Sequence, residues 1–385
     1  MDKYNQRGVS AQKSEVHEAV KALGYGLFKN TFCKISPDLL CNDSNYVNVM
    51  HADGAGTKSS LAYLYWKETG DLSVWHDLVQ DAIVMNTDDM LCAGISNNFL
   101  LSNTIGRNKH ILPGEVLNEI ILGFEKFISK MKTFDINIQL TGGETADVGD
   151  IVKTIIIDST IVAREKKEEI ININIQEGDV IVGLSSFGQA SYENKYNSGI
   201  GSNGLTSARH DLLHKSYRHK YPETYDSHTK SELIYSGNYQ IEDSLESTPL
   251  NIGQAILSPT RTYLPLFQEI FRNHKSHIHG LIHCTGGGQT KVLKFLDPKL
   301  CVVKDKLFDI PPIFKAISQT GYPLKEMYEV FNMGHRMEIY LSSKHLDSIL
   351  KSAEKFGIDA KIIGRVVPKT QESLRIYSDN TWLTY

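Results

Sequence analysis

Four glycine-rich turns, each beside a strand-like or helix-like segment, constrain this chain more than any other feature. They are "HADGAGTK" at 51–58, "TGGETADVGD" at 141–150, "GIGSNGLTSAR" at 199–209 and "CTGGGQTK" at 284–291. A glycine-rich turn that opens a helix aims backbone N–H groups and the positive end of the helix dipole at an anion, and the glycines let the anion's oxygens come close. Any one such turn is more often a plain cap or tight turn. Four in one chain ask for a shared reason, and phosphate is the natural guest.

Between the turns the hydrophobic period alternates. "YVNVMHAD", "INIQL", "KTIIIDSTIVA" and "GDVIVGLSS" read as strands, whereas "DLVQDAIVMNTDDMLCAGI" and "GEVLNEIILGFEKFISKMKTF" carry apolar residues at helical spacing. A second series follows the lysine- and glutamate-rich "REKKEEI": helix "LPLFQEIFRNH", strand "IHGLIHC", helix "PPIFKAISQ", strand "RMEIYLSS", helix "HLDSILKSAEKFG" and strand "DAKIIGRVV". The fold class is therefore α/β (α+β), with domains at 1–170 and 171–385. The polar run between "SARHDLLHKS" and "NIGQAILSPTR", rich in Tyr, Ser and His, reads as a surface excursion rather than a third domain.

Composition limits the partners. The 385 residues, 41% hydrophobic and 22% charged, suit a globular enzyme with two sizeable cores. A net charge of −4 supplies no positive field for nucleic acid or an anionic membrane. No apolar run approaches the roughly 20 residues of a membrane span, and the polar start lacks the apolar core of a secretory signal. The expectation is a cytoplasmic protein with neither nucleic-acid nor membrane partner. Cys33, Cys41, Cys92, Cys284 and Cys301 are scattered without a C-x-x-C pair, which argues against a disulfide framework or a zinc site. His277, His279 and His283 share a face of the strand-like "SHIHGLIH", but its glycine interrupts the spacing, so solvated or core-edge histidines are the better reading.

The acids sharpen the phosphate reading. Asp53, Asp81, Asp88, Asp89, Glu144 and Asp147 fall in or next to these elements. On one helix Asp81 and Asp88 lie close to one face, because positions seven apart differ by about twenty degrees around the axis. Carboxylates so placed repel one another unless a cation sits among them, and Mg²⁺ shared with the oxygens of a nucleotide polyphosphate is the usual solution. For Asp77 and Asp81 a solvated helix face is the equal alternative. For Asp53 and Glu144, each beside glycines after a strand, function is favoured. Lys58, just inside a helix start, is disfavoured by the helix dipole unless an anion is present, which favours phosphate contact over mere solvation.

In this order the elements resemble the phosphoribosylformylglycinamidine cyclo-ligase (aminoimidazole ribonucleotide synthetase) family. The resemblance runs from "YNQRGVSAQKSEVHEAVK" through "HADGAGTK", "HDLVQDAIVMNTDDMLCAGI" and "TGGETAD" to "SNG", "LSPTRTYL", "IHCTGGG", "EMYEVFNMG" and "IGRV", almost the whole chain. It implies a two-domain fold in a homodimer whose amino-terminal strands form a shared, dimeric barrel. It also implies the ATP-dependent closure of formylglycinamidine ribonucleotide to aminoimidazole ribonucleotide, with Mg²⁺. Asp53, Asp81, Asp88, Asp89 and Glu144 would hold the metal; Asp53, Gly54, Gly56, Thr57, Lys58, Gly142 and Gly143 the ATP. Ser202, Asn203, Gly204, Thr285, Gly286, Gly287, Gly288 and Asn332 would hold the ribonucleotide. Arg261 would pair with its phosphate or with an acid. Lys58, Asp89 and His283 are the catalytic candidates, His283 for proton transfer.

The chain departs from the family pattern at several points. Asp88-Asp89 stands where Asn-Asp is usual, and Asp147-Val148-Gly149-Asp150 replaces Glu-Met-Pro-Gly. "SYENKYNSGI" is inserted before "GSNG", so that Gly201 replaces a histidine, and "FNMGHRM" carries His335 and Arg336 where small residues are common.

Overall fold

The computed structural model describes residues 6–9, 18–19, 24 and 26–385. Most of the amino-terminal "YNQRGVSAQKSEVHEAVK" therefore lies outside the described residues.

The first sheet is five-stranded. Strands β1 (Ile35–Pro37), β2 (Tyr46–Gly54), β3 (Phe99–Arg107), β4 (Ile138–Asp147) and β5 (Ile155–Lys166) lie in the order β1-β2-β5-β3-β4. Helices α1 (Lys58–Thr69), α2 (Val74–Cys92) and α3 (Gly114–Lys132) complete this half, with α2 packed on β2, β5 and α3. Along β5, Ile155, Ile157, Ser159, Ile161 and Ala163 are buried and their alternates are not, as a sheet covered on one face requires. The other face is open, with Met50, Leu100 and Ile156 exposed on it.

The expected dimeric barrel is corrected by this sheet. Closure needs the first and last strands to bond to each other at a steep tilt, yet among the described strands β1 pairs with β2 alone, β4 pairs with β3 alone, and β1 has just three residues. The sheet is open.

The second sheet is seven-stranded and also open. Strands β6 (Val180–Ser185), β7 (Ile278–His283), β8 (Leu300–Lys304), β9 (His335–Leu341), β10 (Ala360–Pro368), β11 (Leu374–Ser378) and β12 (Thr381–Thr384) lie in the order β12-β11-β8-β10-β6-β9-β7. Its helices are α4 (Leu205–Leu212), α5 (Ser216–Lys220), α6 (Ile252–Leu257), α7 (Leu264–His274), α8 (Pro312–Ser318), α9 (Leu324–Val330) and α10 (Leu346–Lys355). Among the described residues no helix is long and apolar enough to cross a membrane.

Two local readings change. "TGGETAD" is not a free turn but the outer part of β4, bonded in parallel to β3 with a register shift near Gly142. The Tyr-rich run after α4 is not a surface excursion: Tyr217, Tyr221 and Tyr235 are buried, and Tyr235 packs edge-on against Tyr217 and Tyr225. Tyrosine buries a large apolar ring while its hydroxyl finds a partner, so a polar-looking run supplies a core.

Strand β9 is buried throughout and carries charges inward. Glu338 accepts from Lys304 Nζ, from His335 Nε2 at 3.0 Å and from Tyr340 Oη at 2.7 Å. Cys284, His335 and Glu338 offer ligand atoms within 4.8 Å of one another, but the Lys304 ammonium already sits on Glu338, so the cluster is an internal network. Burial would raise the Glu338 carboxyl, yet Lys304 and His335 outweigh it and hold it at about 2. A carboxyl depressed in the folded state contributes stability that is present above pH 4.5 and lost as pH falls toward 2. The expected contribution is about 3 kcal/mol. Urea unfolding at stepped pH should show this loss, with a shallower slope for the Lys304→Met/Glu338→Leu double variant; equal slopes would contradict it.

Candidate functional site

Strand β2 delivers His51 and Asp53 to the start of α1, and the chain turns through Gly54. A Cβ there would lie 1.8 Å from Asp158 Oδ1, so only glycine fits beside that carboxylate. Asp158 itself is raised by burial and then by the charge of Asp53. Asp53 is exposed, and its Oδ1 accepts from the Gly54 N–H at 2.7 Å.

Lys58 does not reach a cleft. It is 1% exposed, and its Nζ donates to Asp81 Oδ1 at 2.8 Å, Ser258 O at 2.6 Å and Gly201 O at 3.3 Å. Asp81 Oδ1 also accepts from Ser202 Oγ at 3.0 Å and Thr260 N at 2.9 Å. The dipole argument expected an external anion; an internal carboxylate from α2 meets the lysine instead. Burial lowers the Lys58 ammonium against the pull of Asp81. Thr57 Oγ1 lies 2.6 Å from Thr206 Oγ1, which ties this turn to α4.

Seven residues after Asp81, helix α2 places Asp88 and Asp89 between the two sheets. Asp88 Oδ2 accepts from Arg336 Nη2 at 2.7 Å, and burial raises its carboxyl to about 6 against that pull. Two departures from the family pattern thus compensate each other, because the charge added at Asp88 meets the charge added at Arg336. Asp89 Oδ1 takes His283 Nδ1 at 2.6 Å and Oδ2 takes His51 Nε2 at 3.2 Å. Burial would raise Asp89, but these two bonds outweigh it and hold the carboxyl well below the usual carboxylate range.

The two histidines differ in state. Arg336 can only donate, so His283 Nε2 accepts from it and Nδ1–H donates to Asp89. Burial and the Arg336 charge lower this imidazole to about 4, leaving it neutral. His51 donates to Asp89 and, through Nδ1, to Asn86 Oδ1 at 2.8 Å. Burial would lower it, but Asp89 raises it to about 9, so it is an imidazolium. His51 and Asp89 keep 24% and 15% of their side chains exposed, and Phe32, with Lys291 over its ring, lies beside His283.

In the second half, Gly204 caps α4 at φ +80°, and a Cβ there would stand 2.3 Å from the Phe331 ring. Asn203 and Gly286 adjoin, since a Cβ on Gly286 would lie 3.6 Å from Asn203 Nδ2. The turns Ser202–Asn203–Gly204 and Thr285–Gly286–Gly287–Gly288 thus come together. Arg261 is occupied by an acid, in a two-pronged pair with Glu193 at 2.9 and 2.6 Å. Asn332 is a clamp: its Oδ1 accepts from Ser186 Oγ and Gly334 N, and its Nδ2 donates to Gly199 O.

The five carboxylates expected on one metal do not gather in one place. Asp81 and Asp88 are tied to Lys58 and Arg336. Glu144, Thr104, Asp158 and Gly54 stand in one cross-strand row, one pleat out of step with the row of Asp53, Ser159, Asn103 and Gly143. Gly142, Gly143 and Glu144 are exposed there. His51, Asn86, Asp158 and Arg336 were missed. The available signals were a histidine two residues before Asp53 and a lone acid inside the β-branched "IIIDSTIV".

Comparison with known proteins agrees with the two-sheet layout. The families described as "AIR synthase related protein, N-terminal domain" and "AIR synthase related protein, C-terminal domain" match residues 38–164 and 176–377. The phosphoribosylformylglycinamidine cyclo-ligase of Methanocaldococcus jannaschii is 31% identical over 325 residues, covering 84% of this chain and 79% of that protein. The Desulfotalea psychrophila enzyme of that name is 26% identical over 96% of this chain and 94% of its own. Among solved structures, tt0281 from Thermus thermophilus superposes with TM-score 0.52 at 13% identity, covering 94% of this chain and 96% of that one. Thermotoga maritima PurL complexed with FGAR superposes with TM-score 0.54 at 11% identity, over 97% of this chain and 49% of that one. These two likenesses concern the fold. With both domains matched and most of the chain aligned to enzymes of one name, the chain belongs to the phosphoribosylformylglycinamidine cyclo-ligase family, as a divergent member.

Proposed function

We propose that this chain is the ATP-dependent cyclo-ligase that turns formylglycinamidine ribonucleotide into aminoimidazole ribonucleotide, ADP and phosphate. The observation that carries the reading is the meeting of both halves at Asp89, which α2 presents and which His51 from β2 and His283 from β7 hold. Family membership supports the reaction class.

The chemistry asks for positioning and charge neutralisation more than for a strong base. The substrate's amide oxygen attacks the γ-phosphorus and ADP leaves. The amidine nitrogen then closes on the activated carbon, expelling phosphate that carries that oxygen, and a proton is lost. His51 offers its cationic edge to the phosphates, with Gly54, Gly56 and Thr57 at the start of α1 and Gly142 and Gly143 on β4. The adjoining turns 202–204 and 285–288 hold the ribonucleotide phosphate. His283, with one nitrogen on Asp89 and the other taken by Arg336, positions Asp89 rather than moving a proton.

Asp53 leaves the same face of β2 as His51, one pleat out of step with Asp158, and its exposed carboxylate, held by the Gly54 N–H, fits a divalent cation. Asp53 would hold Mg²⁺, which would supply charge neutralisation at the nucleotide phosphates. Residues 1–170 form the nucleotide half and 171–385 the substrate half, and the chain works as a homodimer.

Purified protein incubated with ATP, Mg²⁺ and formylglycinamidine ribonucleotide should yield aminoimidazole ribonucleotide and ADP in equal amounts, and should sediment as a dimer. Absence of the imidazole product would overturn the reading. The inserted loop and the loss of the histidine at Gly201 favour, as second reading, a phosphoryl transfer to another acceptor; ADP release only with that acceptor would select it.

A further inference from the structure

The loop inserted before "GSNG" builds a cavity of its own. Residues 192–197 line it with the start of α2, the last turn of α3 and the segment 249–262, enclosing about 350 Å³. Asp53, Asp89, His283 and the turn 285–288 take no part in it. Small-molecule sites are commonly of this size, with apolar walls and a few placed polar groups. Here Val74, Met131, Leu257 and Pro259 supply apolar wall.

Asp71, Asp77, Lys130, Glu193 and Lys195 bring charge to the lining; Glu193 is taken by Arg261, and Lys195 faces Asp77. Lys195 Nζ is 3.6 Å from Asp77 Oδ2, with side chains 66% and 34% exposed. A charge-assisted hydrogen bond between such groups is usually about 2.7–2.9 Å long, so this pair is loose. Burial raises the Asp77 carboxyl in spite of Lys195.

The looseness selects the ligand. Lys195 is solvated on its own, but a simple anion drawing it away would leave Asp77, the more buried partner, without its counter-charge, which is costly. A zwitterion inserted between them keeps both Asp77 and Lys195 paired: its ammonium meets Asp77, its carboxylate meets Lys195, and an apolar side chain lies on Val74, Met131 and Leu257.

We propose that this cavity binds a free α-amino acid with an apolar side chain. The test is calorimetric titration of the full chain with L-phenylalanine and L-methionine, beside phenethylamine and 3-phenylpropionate as single-charge probes. At least one amino acid should bind saturably with Kd at or below about 1 mM. The single-charge probes should bind at least about tenfold more weakly, and so should that amino acid to Lys195→Gln and to Asp77→Asn. Lys195 is exposed enough for Lys195→Gln to keep the fold, so that variant decides even if Asp77→Asn does not fold. Three results would each overturn the proposal: no saturable heat with either amino acid up to about 10 mM, equal binding of a single-charge probe, or unchanged affinity in Lys195→Gln. Binding is read without turnover, so its failure is distinct from failure of the cyclo-ligase reading.

Discussion

Lys58→Ala is expected to lower the unfolding free energy by about 3–5 kcal/mol, the cost of removing one partner of a buried ion pair. The sequence favours contact with an external phosphate for this lysine, because a cation at a helix start is disfavoured without an anion. In the fold the ammonium is enclosed by Asp81, Ser258 O and Gly201 O, and it links α2 to the turns of the second half. Without it Asp81 keeps its hydroxyl and amide donors but loses its counter-charge, and its Oδ2 is already buried without a partner. Lys58→Met/Asp81→Leu, which removes both charges, should recover much of the loss. Urea unfolding at neutral pH measures both variants. A loss under about 1 kcal/mol for Lys58→Ala would mean that the pair contributes no more than an exposed one.

Asp89→Asn is expected to reduce ATP-dependent turnover by about 10²–10³-fold, the scale found when one electrostatic contact to a reacting group is removed, with a far-UV spectrum unchanged. The amide keeps the shape of the carboxylate but not its charge, so His51 loses the counter-ion that keeps it an imidazolium. Asp53→Asn should cost turnover on a similar scale by removing the exposed carboxylate that would hold Mg²⁺. The measurement is steady-state ADP release by each purified variant. Turnover within about threefold of the parent in both would place the chemistry elsewhere.

Local pattern revealed the skeleton of the fold. "YVNVMHAD" becomes β2 and the segment around Glu115 becomes α3, because a period of two or of 3.6 survives burial on one face, whereas the segment around Asp77 becomes α2, a helix buried on nearly every side. Strand β3, "FLLSNTIGR", was not picked out: its outer half is polar and glycine-containing, and only pairing with β4 and β5 defines it. The openness of the first sheet was likewise illegible, since strand order depends on long-range pairing.

For the site, the spacing put Asp81 and Asp88 on one helix, and the structure shows that helix largely buried rather than solvated. The partner each would choose was not in the spacing. Lys58 for Asp81, Arg336 for Asp88 and two histidines for Asp89 come from positions 23 to 248 residues away in the chain. The mutual compensation of Asp88 and Arg336 needed coordinates to be seen.

The most direct test follows the oxygen. Formylglycinamidine ribonucleotide carrying ¹⁸O in its amide is turned over with unlabelled ATP, and the released phosphate is analysed by mass spectrometry. If the chain moves a phosphoryl group onto that oxygen before the ring closes, the label leaves in inorganic phosphate, one atom per ring formed. Ring formation with unlabelled phosphate, the label passing to water instead, would contradict the account.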